Sequence, residues 1–229
     1  MYRDWYYNKL VKVIGFLSME QKCAKIISLL QQKGGSGKTT TAINMACGLR
    51  ELGFKVVIID MDKDKPDAYM WMTKNNENTD FVYNLDEKNI REKVQELKTT
   101  VDFIVIDTPP NFQTAALKSA LLSDLVVIPC SPSGMDLSGL IEAKDLALTA
   151  DKPYRFFANR VQMQSNMSKS LIDFFEEDGH FFDSFVSQSV KFIEAESEGQ
   201  YIGDYAKGSK VHLQVKKLAR KVVEFFGDK

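Results

Sequence analysis

Two lysines in a glycine-rich stretch, "QQKGGSGKTT" at positions 31–40, are the residues whose types and spacing best fit a chemical role. The stretch follows the apolar run "KIISLL" and precedes a helical pattern that starts near Thr39. A strand, a glycine-rich turn and a helix in this order form a phosphate-binding loop, because the turn directs several backbone N–H groups at one anion. We expect Lys38 to contact the β- and γ-phosphates of a nucleotide and the Thr39 hydroxyl to bind Mg²⁺.

One part of the loop departs from the usual pattern G-x-x-x-x-G-K-[ST]. Gln32 stands at the first glycine position, and a second lysine, Lys33, follows it. From the residues alone, Lys33 is either an exposed loop lysine or a further cation for the phosphates.

Acidic residues end two of the apolar runs. Asp107 ends "FIVID", while Asp60 and Asp62 lie in "IIDMD". The carboxyl ends of parallel strands meet at one edge of a sheet, so these carboxylates should lie beside the phosphate loop. We expect Asp107 to hold Mg²⁺ through a bound water. A carboxylate of the Asp60–Asp62 pair could complete the metal shell or orient an attacking water.

The apolar pattern predicts the elements that would hold these residues. Several short runs rich in β-branched residues are nearly continuous rather than alternating, as in strands buried on both faces of a parallel sheet. They cover 25–30, 55–60, 102–107 and 125–129, with 154–159 as a fifth candidate. Helical patterns lie between them, at 39–52, 88–98, 113–122, 136–149 and 168–177. This alternation predicts a doubly wound α/β fold, with a mostly parallel sheet and helices on both faces.

Length and composition favour one globular domain. The chain has 229 residues, 44% of them hydrophobic, which is enough for a full core and argues against intrinsic disorder. A net charge of −1 excludes a protein that is basic over its whole surface. Three widely spaced cysteines indicate neither a disulfide framework nor a zinc site, as in a reduced cytoplasmic protein.

We assign residues 25–229 to a single domain and residues 1–24 to an N-terminal extension outside its core. The apolar part of the extension is too short to span a bilayer. It is either a loosely ordered extension from an upstream start, which we favour, or a short segment that binds a partner or a membrane.

Several motifs together resemble one protein family. The segments "QKGGSGKTT", "IIDMD", "VIDTPPN" and "VVIPCSPSGMDLSG" are similar to those of the deviant Walker-A ATPases of the ParA/MinD type. The likeness is greatest to short, ParF-like ParA proteins of plasmid and chromosome partition, and it extends from about Lys25 to the C-terminus. It includes six residues of the late segment "EAESEGQYIGDYAKGS": Glu194, Ala195, Gly199, Ile202, Asp204 and Tyr205.

The resemblance implies a P-loop NTPase fold, an ATPase activity that depends on Mg²⁺, and roles for single residues. Lys33 would reach across a nucleotide-sandwich homodimer to the phosphates of the other subunit, where charge develops in the transition state. Asp62 corresponds to the carboxylate associated with water activation, and Asp107 to the Walker-B acid. The implied catalytic residues are Lys33, Lys38 and Asp62, and the implied metal site is Thr39, Asp60 and Asp107. The implied nucleotide contacts are Gly34, Gly35, Ser36, Gly37, Lys38, Thr39, Thr40 and, at the adenine, Asn159.

The chain departs from this family directly after Asp62. The family usually has Pro-Gln there, whereas this chain has Lys63 and Asp64, with a proline only at Pro66. That loop contributes to the dimer face and to the hydrolysis switch in the family. A nucleotide-binding protein without turnover is therefore one alternative.

The last helical pattern supplies a candidate surface for DNA. Its apolar stripe consists of Val211, Val215, Leu218, Val222 and Phe225. Basic residues beside the stripe could neutralise backbone phosphates of DNA or only solvate the helix. They are Lys210, Lys216, Lys217, Arg220 and Lys221.

The resemblance implies an ATP-dependent partition ATPase of the cytoplasm, associated with the nucleoid. Its ATP-bound dimer would bind nonspecific DNA, and a centromere-binding ParB-like or ParG-like partner would stimulate hydrolysis. The main alternative is a MinD-like positioning ATPase that cycles on membranes through a basic amphipathic segment. We expect no membrane binding, because the apolar stripe is needed to cover the sheet.

Overall fold

The computed structural model describes residues 23–75, 80–110, 113–132 and 137–227. Their strands form one seven-stranded sheet in the order β3-β2-β4-β1-β5-β6-β7, and every pair is parallel. The strands are β1 Lys25–Leu29, β2 Val56–Asp60, β3 Val82–Asn84, β4 Phe103–Asp107, β5 Leu125–Cys130, β6 Tyr154–Val161 and β7 Phe181–Ser187.

Nine helices connect and cover these strands in the described ranges. They are α1 Lys38–Glu51, α2 Asp67–Thr73, α3 Ile90–Leu97, α4 Gln113–Leu122, α5 Leu137–Thr149, α6 Asn166–Asp178, α7 Lys191–Ser197, α8 Ile202–Tyr205 and α9 Lys210–Gly227. Side chains from α1, α2 and α9 join one buried cluster, and side chains from α3 to α6 join two others. The doubly wound α/β fold is thereby confirmed, with a sheet that is parallel throughout.

The register of the sheet brings the acidic strand ends together. Leu29 of β1 and Asp60 of β2 both lie opposite Asp107 of β4. β1, β2 and β4 therefore end at the same level, and the loops that follow them share one edge. All residues of β2, β4 and β5 are buried, which explains why these strands read as continuous apolar runs.

Several elements escaped prediction because each is short or lies at an edge. β3 has only three residues, and the helices α2, α7 and α8 have seven, seven and four. β7 is an edge strand whose residues alternate between more and less buried, which weakens the apolar signal. β6 continues past Asn159 to Val161 through an irregular register against β7.

The N-terminal end of the described core bears on the predicted domain boundary. Ala24, which we placed in the N-terminal extension, is buried, and its N–H donates to the Lys98 carbonyl. The rest of the predicted extension, apart from Cys23, lies outside the described residues. No helix in the described ranges combines the length and the hydropathy needed to cross a membrane.

α9 packs its apolar stripe against α1 and β7. Val211, Val215, Leu218 and Val222 are buried. On the neighbouring face, three of the predicted DNA-binding lysines contact carboxylates: Lys216–Glu51 at 2.7 Å, Lys217–Asp183 at 3.8 Å and Lys221–Glu224 at 2.8 Å. DNA binding by the row stays a prediction, and these ion pairs are a competing role for its lysines.

Glu51, at the end of α1, connects α1 to α9. Its carboxylate accepts hydrogen bonds from His212 Nε2 at 2.8 Å, Tyr201 Oη at 3.1 Å and Lys216 Nζ at 2.7 Å. The Gly208 N–H donates to His212 Nδ1, so Nε2 is the ring nitrogen that donates to Glu51. Burial opposes ionisation of Glu51, but the hydrogen bonds from His212, Lys216 and Tyr201 outweigh it and lower the pKa to about 2.

Glu51→Gln should destabilise the protein at neutral pH but not in acid. A carboxylate whose pKa is depressed in the folded state contributes stability above its ordinary pKa of 4.5, and loses it as the pH falls toward about 2. Because Glu51 is partly exposed, we expect a loss of only about 1 kcal/mol in the free energy of unfolding at pH 7. Urea denaturation of both proteins at several pH values measures this. A difference that persists undiminished at pH 2.5 would contradict the assignment to charge.

Candidate nucleotide-binding site

A cleft of about 280 Å³ lies at the carboxyl edge of the sheet, where β1, β2 and β4 end. Its walls bring together most of the residues that we predicted to act on a nucleotide. Predicted residues that line it are Gly34, Gly35, Ser36, Gly37, Lys38, Thr39, Thr40, Asp60, Asp62 and Asp107. The sequence motifs, which are far apart in the chain, therefore converge on one site.

The glycine-rich loop reaches its shape through left-handed glycines. Gly35 has a φ of 75° and Gly37 a φ of 90°, conformations that side-chain-bearing residues rarely adopt. Gly37 is the N-cap of α1, and no side chain caps the helix there. The first N–H groups of α1 thus have no capping side chain and lie at the cleft, where the helix dipole favours an anion.

Gly37→Ala should disrupt the site and destabilise the fold. A Cβ at this position would lie 2.0 Å from Nδ2 of Asn159, and the φ would be strained as well. We expect the free energy of unfolding to fall by about 1–3 kcal/mol, as measured by urea denaturation. Gly34→Ala is the matched control, since its Cβ would meet nothing within 4 Å. Equal stability of the two variants would contradict the close approach of Asn159 to the loop.

Lys38 is the buried cation of the cleft, with 6% of its surface exposed. Burial lowers its pKa, while the negative charges of Asp107 and Asp62 raise it. The ammonium group is therefore flanked by two carboxylates in a desolvated environment. A ligand with several negative charges would add favourable contacts that the two carboxylates alone do not supply.

Asp107 is the most perturbed carboxyl group of the cleft. Burial, together with the charge of Asp60, raises its pKa to about 7, although a hydrogen bond from the Thr39 side chain and the charge of Lys38 lower it. Its Oδ1 is buried without a hydrogen-bond partner in the described part of the chain, and so is Oγ of Ser36. Buried polar atoms without partners are costly unless a ligand satisfies them.

These residues fit Mg²⁺ bound together with a nucleotide. In such sites the ion is usually held by one or two protein groups, water and substrate phosphates. The Thr39 hydroxyl and the Asp107 carboxylate contact each other and supply the oxygen atoms required. A divalent cation would also favour the ionised form of Asp107, whose own pKa lies near neutrality.

Asp60 and Asp62 shape the loop that follows β2. Asp60 accepts hydrogen bonds from the N–H groups of Asp62 at 2.9 Å and Tyr69 at 3.1 Å, and burial raises its pKa to about 6. Asp62 is only half-buried, and its Oδ1 accepts from the N–H groups of Asp64 and Lys65 at 3.1 and 2.9 Å. Asp60 thus organises the loop, whereas Asp62 is free to face the cleft with its other oxygen.

Lys63, one of the two residues that depart from the family pattern, helps to hold this loop to the β3–α3 connection. Lys63 Nζ lies 2.5 Å from Asp86 Oδ2. The side-chain amide of Asn84 donates to the carbonyl oxygens of Asp62 at 2.8 Å and Asp60 at 3.2 Å. The loop that carries Asp62 is therefore held against the end of β3 by an amide and against the residues after β3 by an ion pair.

Lys33 lies outside the cleft. It is exposed and is not among the lining residues, and its N–H donates to the Gln31 side chain at 3.4 Å. In a single subunit the second lysine of the loop therefore does not reach the site formed by Lys38. Its predicted action on the phosphates of another subunit stays a prediction.

A second cavity, of about 230 Å³, adjoins the cleft and shares Thr40, Arg160 and Glu196 with it. Asn159 lines it, together with residues between 188 and 193 that follow β7. The position of Asn159 there supports its predicted contact with a base, which stays a prediction. Arg160 and the segment after β7 escaped sequence analysis, because only the fold brings them to the loop.

The arrangement has the parts that phosphoryl transfer requires. It combines an anion cradle, a buried lysine, a hydroxyl and carboxylate suited to a cation, a further carboxylate, and an adjoining cavity of the size of a ring system. Such a site can bind a nucleoside triphosphate and stabilise charge on its terminal phosphate.

Comparisons with known proteins agree with this geometry. A family described as "AAA domain" matches residues 24–95 and 78–152, together more than half of the chain. Maintenance of carboxysome distribution protein A of Gloeobacter kilaueensis is 30% identical over 62% of this chain, but the match spans only 65% of that protein. The chromosome-partitioning ATPase Soj of Treponema pallidum is 24% identical over 87% of this chain and 97% of its own length.

A solved structure shares the fold. The septum site-determining protein MinD of Pyrococcus horikoshii, complexed with Mg-ADP, superposes with a TM-score of 0.68 at 22% identity, covering 90% of this chain and 98% of that one. The chain belongs to the AAA domain family, and within it to the P-loop ATPases of the ParA/MinD type.

Proposed function

We propose that this protein is a Mg²⁺-dependent ATPase whose nucleotide state controls dimerisation and DNA binding. The observation that carries the ATPase assignment is the buried group of Lys38, Asp107 and Ser36 beneath the uncapped start of α1, with Asp107 Oδ1 and Ser36 Oγ lacking partners. Phosphate oxygens and a cation would satisfy these atoms. The complex of a MinD protein with Mg-ADP supports the same ligand here.

Each residue of the cleft has a distinct part in the proposed reaction. The N–H groups at the start of α1 and the Lys38 ammonium bind the phosphates, and Thr39 and Asp107 hold Mg²⁺. The bound ion supplies positive charge against the phosphate oxygens. Asp62 orients the attacking water with the carboxylate oxygen that is not used by the loop. Asn159 contacts the base in the second cavity.

The exposed position of Lys33 supports a nucleotide-sandwich dimer. A lysine that cannot serve its own cleft can serve the cleft of a twofold-related copy, which makes the interface self-complementary. Its charge would be added where phosphoryl transfer develops negative charge.

Lys33→Ala should abolish dimerisation with ATP while ATP binding by the single subunit persists. The reason is that Lys33 lies outside the cleft of its own subunit. Size-exclusion chromatography with light scattering, in ATP and in ADP, measures the dimer. Lys55→Ala is a control of equal charge, on an exposed lysine that precedes β2 and is not among the residues that line the cleft. A dimer that forms normally without Lys33 would refute the sandwich arrangement.

We assign nonspecific DNA as the partner of the dimer, and a ParB-like or ParG-like protein as the activator of hydrolysis. The name of the Soj relative supports a role in chromosome partition, and that of the Gloeobacter relative supports the positioning of another cargo. A nucleotide-gated switch would serve either role. We therefore propose the switch itself, acting in the cytoplasm at the nucleoid, as the function.

The MinD-like alternative is supported by the fold of the Pyrococcus structure, but the packing of α9 favours DNA. Its apolar stripe is buried against α1 and β7, so it would have to leave the core to enter a lipid surface. Lys210, Lys217 and Arg220 are exposed on this helix while the stripe stays buried.

Three assays on the parent protein separate the alternatives. We expect phosphate release from Mg-ATP, a gel shift of unrelated DNA in ATP but not in ADP, and no sedimentation with anionic liposomes. Lipid binding without DNA binding would replace this proposal with the MinD-like function. ATP binding without phosphate release, even with DNA present, would leave a nucleotide-binding protein that has no turnover.

A further inference from the structure

β6 holds an arginine in an unusual backbone conformation. Arg160 has a φ of 54°, in the left-handed region that residues with side chains rarely adopt. The pairing of β6 with β7 is irregular between Ala158 and Val161, so Arg160 lies within the irregular stretch. Irregularities of this kind redirect a side chain and are common beside binding sites.

The redirected side chain reaches the phosphate loop. Nη1 of Arg160 donates to the carbonyl oxygen of Gly35 at 3.3 Å. The N–H of Arg160 donates to Asn159 Oδ1 at 2.9 Å, which holds the Asn159 side chain against the backbone of Arg160. Arg160 also lines both the 280 Å³ cleft and the 230 Å³ cavity. It therefore lies where the two parts of the nucleotide site meet.

The charged residues of the cleft are distributed unevenly about β1. The carboxylates of Asp60, Asp62 and Asp107 come from β2 and β4, on one side of β1, and Lys38 is placed against them. Arg160 comes from β6, on the other side of β1, where the cleft-lining residues include no second arginine. A guanidinium is planar and permanently charged, and it binds phosphate oxygens through two parallel N–H groups.

We propose that Arg160 binds the phosphate chain of the nucleotide directly, exchanging the Gly35 carbonyl for phosphate oxygens. The proposal rests on the proposed function, since it requires a nucleoside triphosphate in the cleft. Arg160 then neutralises the phosphate chain from the side of the second cavity, whereas Lys38 does so from the side of the carboxylates. The left-handed backbone of Arg160 directs its guanidinium group at the ligand, and this role accounts for the strained conformation.

Arg160→Gly tests the proposal without adding strain, because glycine tolerates a positive φ. We expect its melting temperature to equal or exceed that of the parent, while the Kd for ATP rises about 10-fold or more, the usual effect of losing a charged hydrogen bond. Arg160→Lys should recover part of the affinity, since it keeps the charge but not the planar fork. Arg91→Ala, an exposed arginine on α3, is the control and should bind ATP like the parent.

Salt dependence distinguishes direct contact from support of the loop. If the guanidinium touches phosphate, the affinity of Arg160→Gly should fall less steeply with added salt than that of the parent. An unchanged salt slope, or a Kd within twofold of the parent, would overturn the proposal while the proposed function stands. A parent protein that binds no ATP would overturn both.

Discussion

Lys38→Ala is expected to abolish measurable ATP binding. Lys38 is buried between Asp107 and Asp62, so any phosphate that enters the cleft meets a largely desolvated ammonium group. A buried charge-assisted contact of this kind contributes roughly 3 kcal/mol, or about a 100-fold change in Kd. Calorimetric titration with Mg-ATP measures it. The removal leaves two carboxylates facing the phosphates, which weakens binding further.

The control for Lys38→Ala must separate the site from the fold. Lys55→Ala removes an exposed lysine that precedes β2 at the opposite edge of the sheet, and should leave the Kd unchanged. Without nucleotide, Lys38→Ala should be less stable than the parent, because Asp107 and Asp62 lose their cation, so circular dichroism must first show that the variant is folded. If Lys38→Ala is folded and its Kd for ATP is within threefold of the parent value, the glycine-rich loop is not the nucleotide site.

Asp62→Ala is expected to bind ATP and dimerise but to release phosphate about 100-fold more slowly or worse, the usual loss when a positioned acid–base group is removed. Only one oxygen of Asp62 is used by the loop, so the other can orient water. The change also removes a negative charge beside Lys38, which should preserve or improve ATP affinity. Single-turnover phosphate release with a parallel ATP titration separates the two effects.

Asp64→Ala is the matched control for Asp62→Ala. Asp64 is exposed, and it contributes to the Asp62 turn only through its backbone N–H, which alanine retains. Its turnover should stay within about twofold of the parent, since surface substitutions of this kind have small effects. If Asp62→Ala releases phosphate at the parent rate, a group other than Asp62 positions the attacking water.

Much of the site could be predicted from sequence because its parts lie directly after strands. The run before Gly34 and the runs that end at Asp60 and Asp107 are short and apolar, as strands buried on both faces must be. In a parallel sheet these ends meet at one edge, so the convergence of loop and carboxylates follows from the pattern.

The remaining features depend on contacts that no local pattern encodes. Arg160 reaches Gly35 through a register irregularity at the end of β6, and the sequence "NRV" carries no sign of it. Lys63 contacts Asp86 only because β3 lies beside β2. The three-residue β3 and the edge strand β7 also lack the long apolar pattern on which strand prediction depends.

The ion pairs of α9 limit how DNA affinity can depend on ionic strength. Of the five basic residues proposed there, Lys216, Lys217 and Lys221 already face carboxylates, whereas no described acidic side chain forms an ion pair with Lys210 or Arg220. Only charges that are not already balanced displace condensed counterions from a duplex, each contributing about −0.9 to the slope of log K against log salt. A dimer that binds DNA through this helix has two such residues in each subunit, so its slope of log K against log salt should correspond to about four phosphates. That slope is far shallower than the one expected if all ten basic side chains of the dimer contributed.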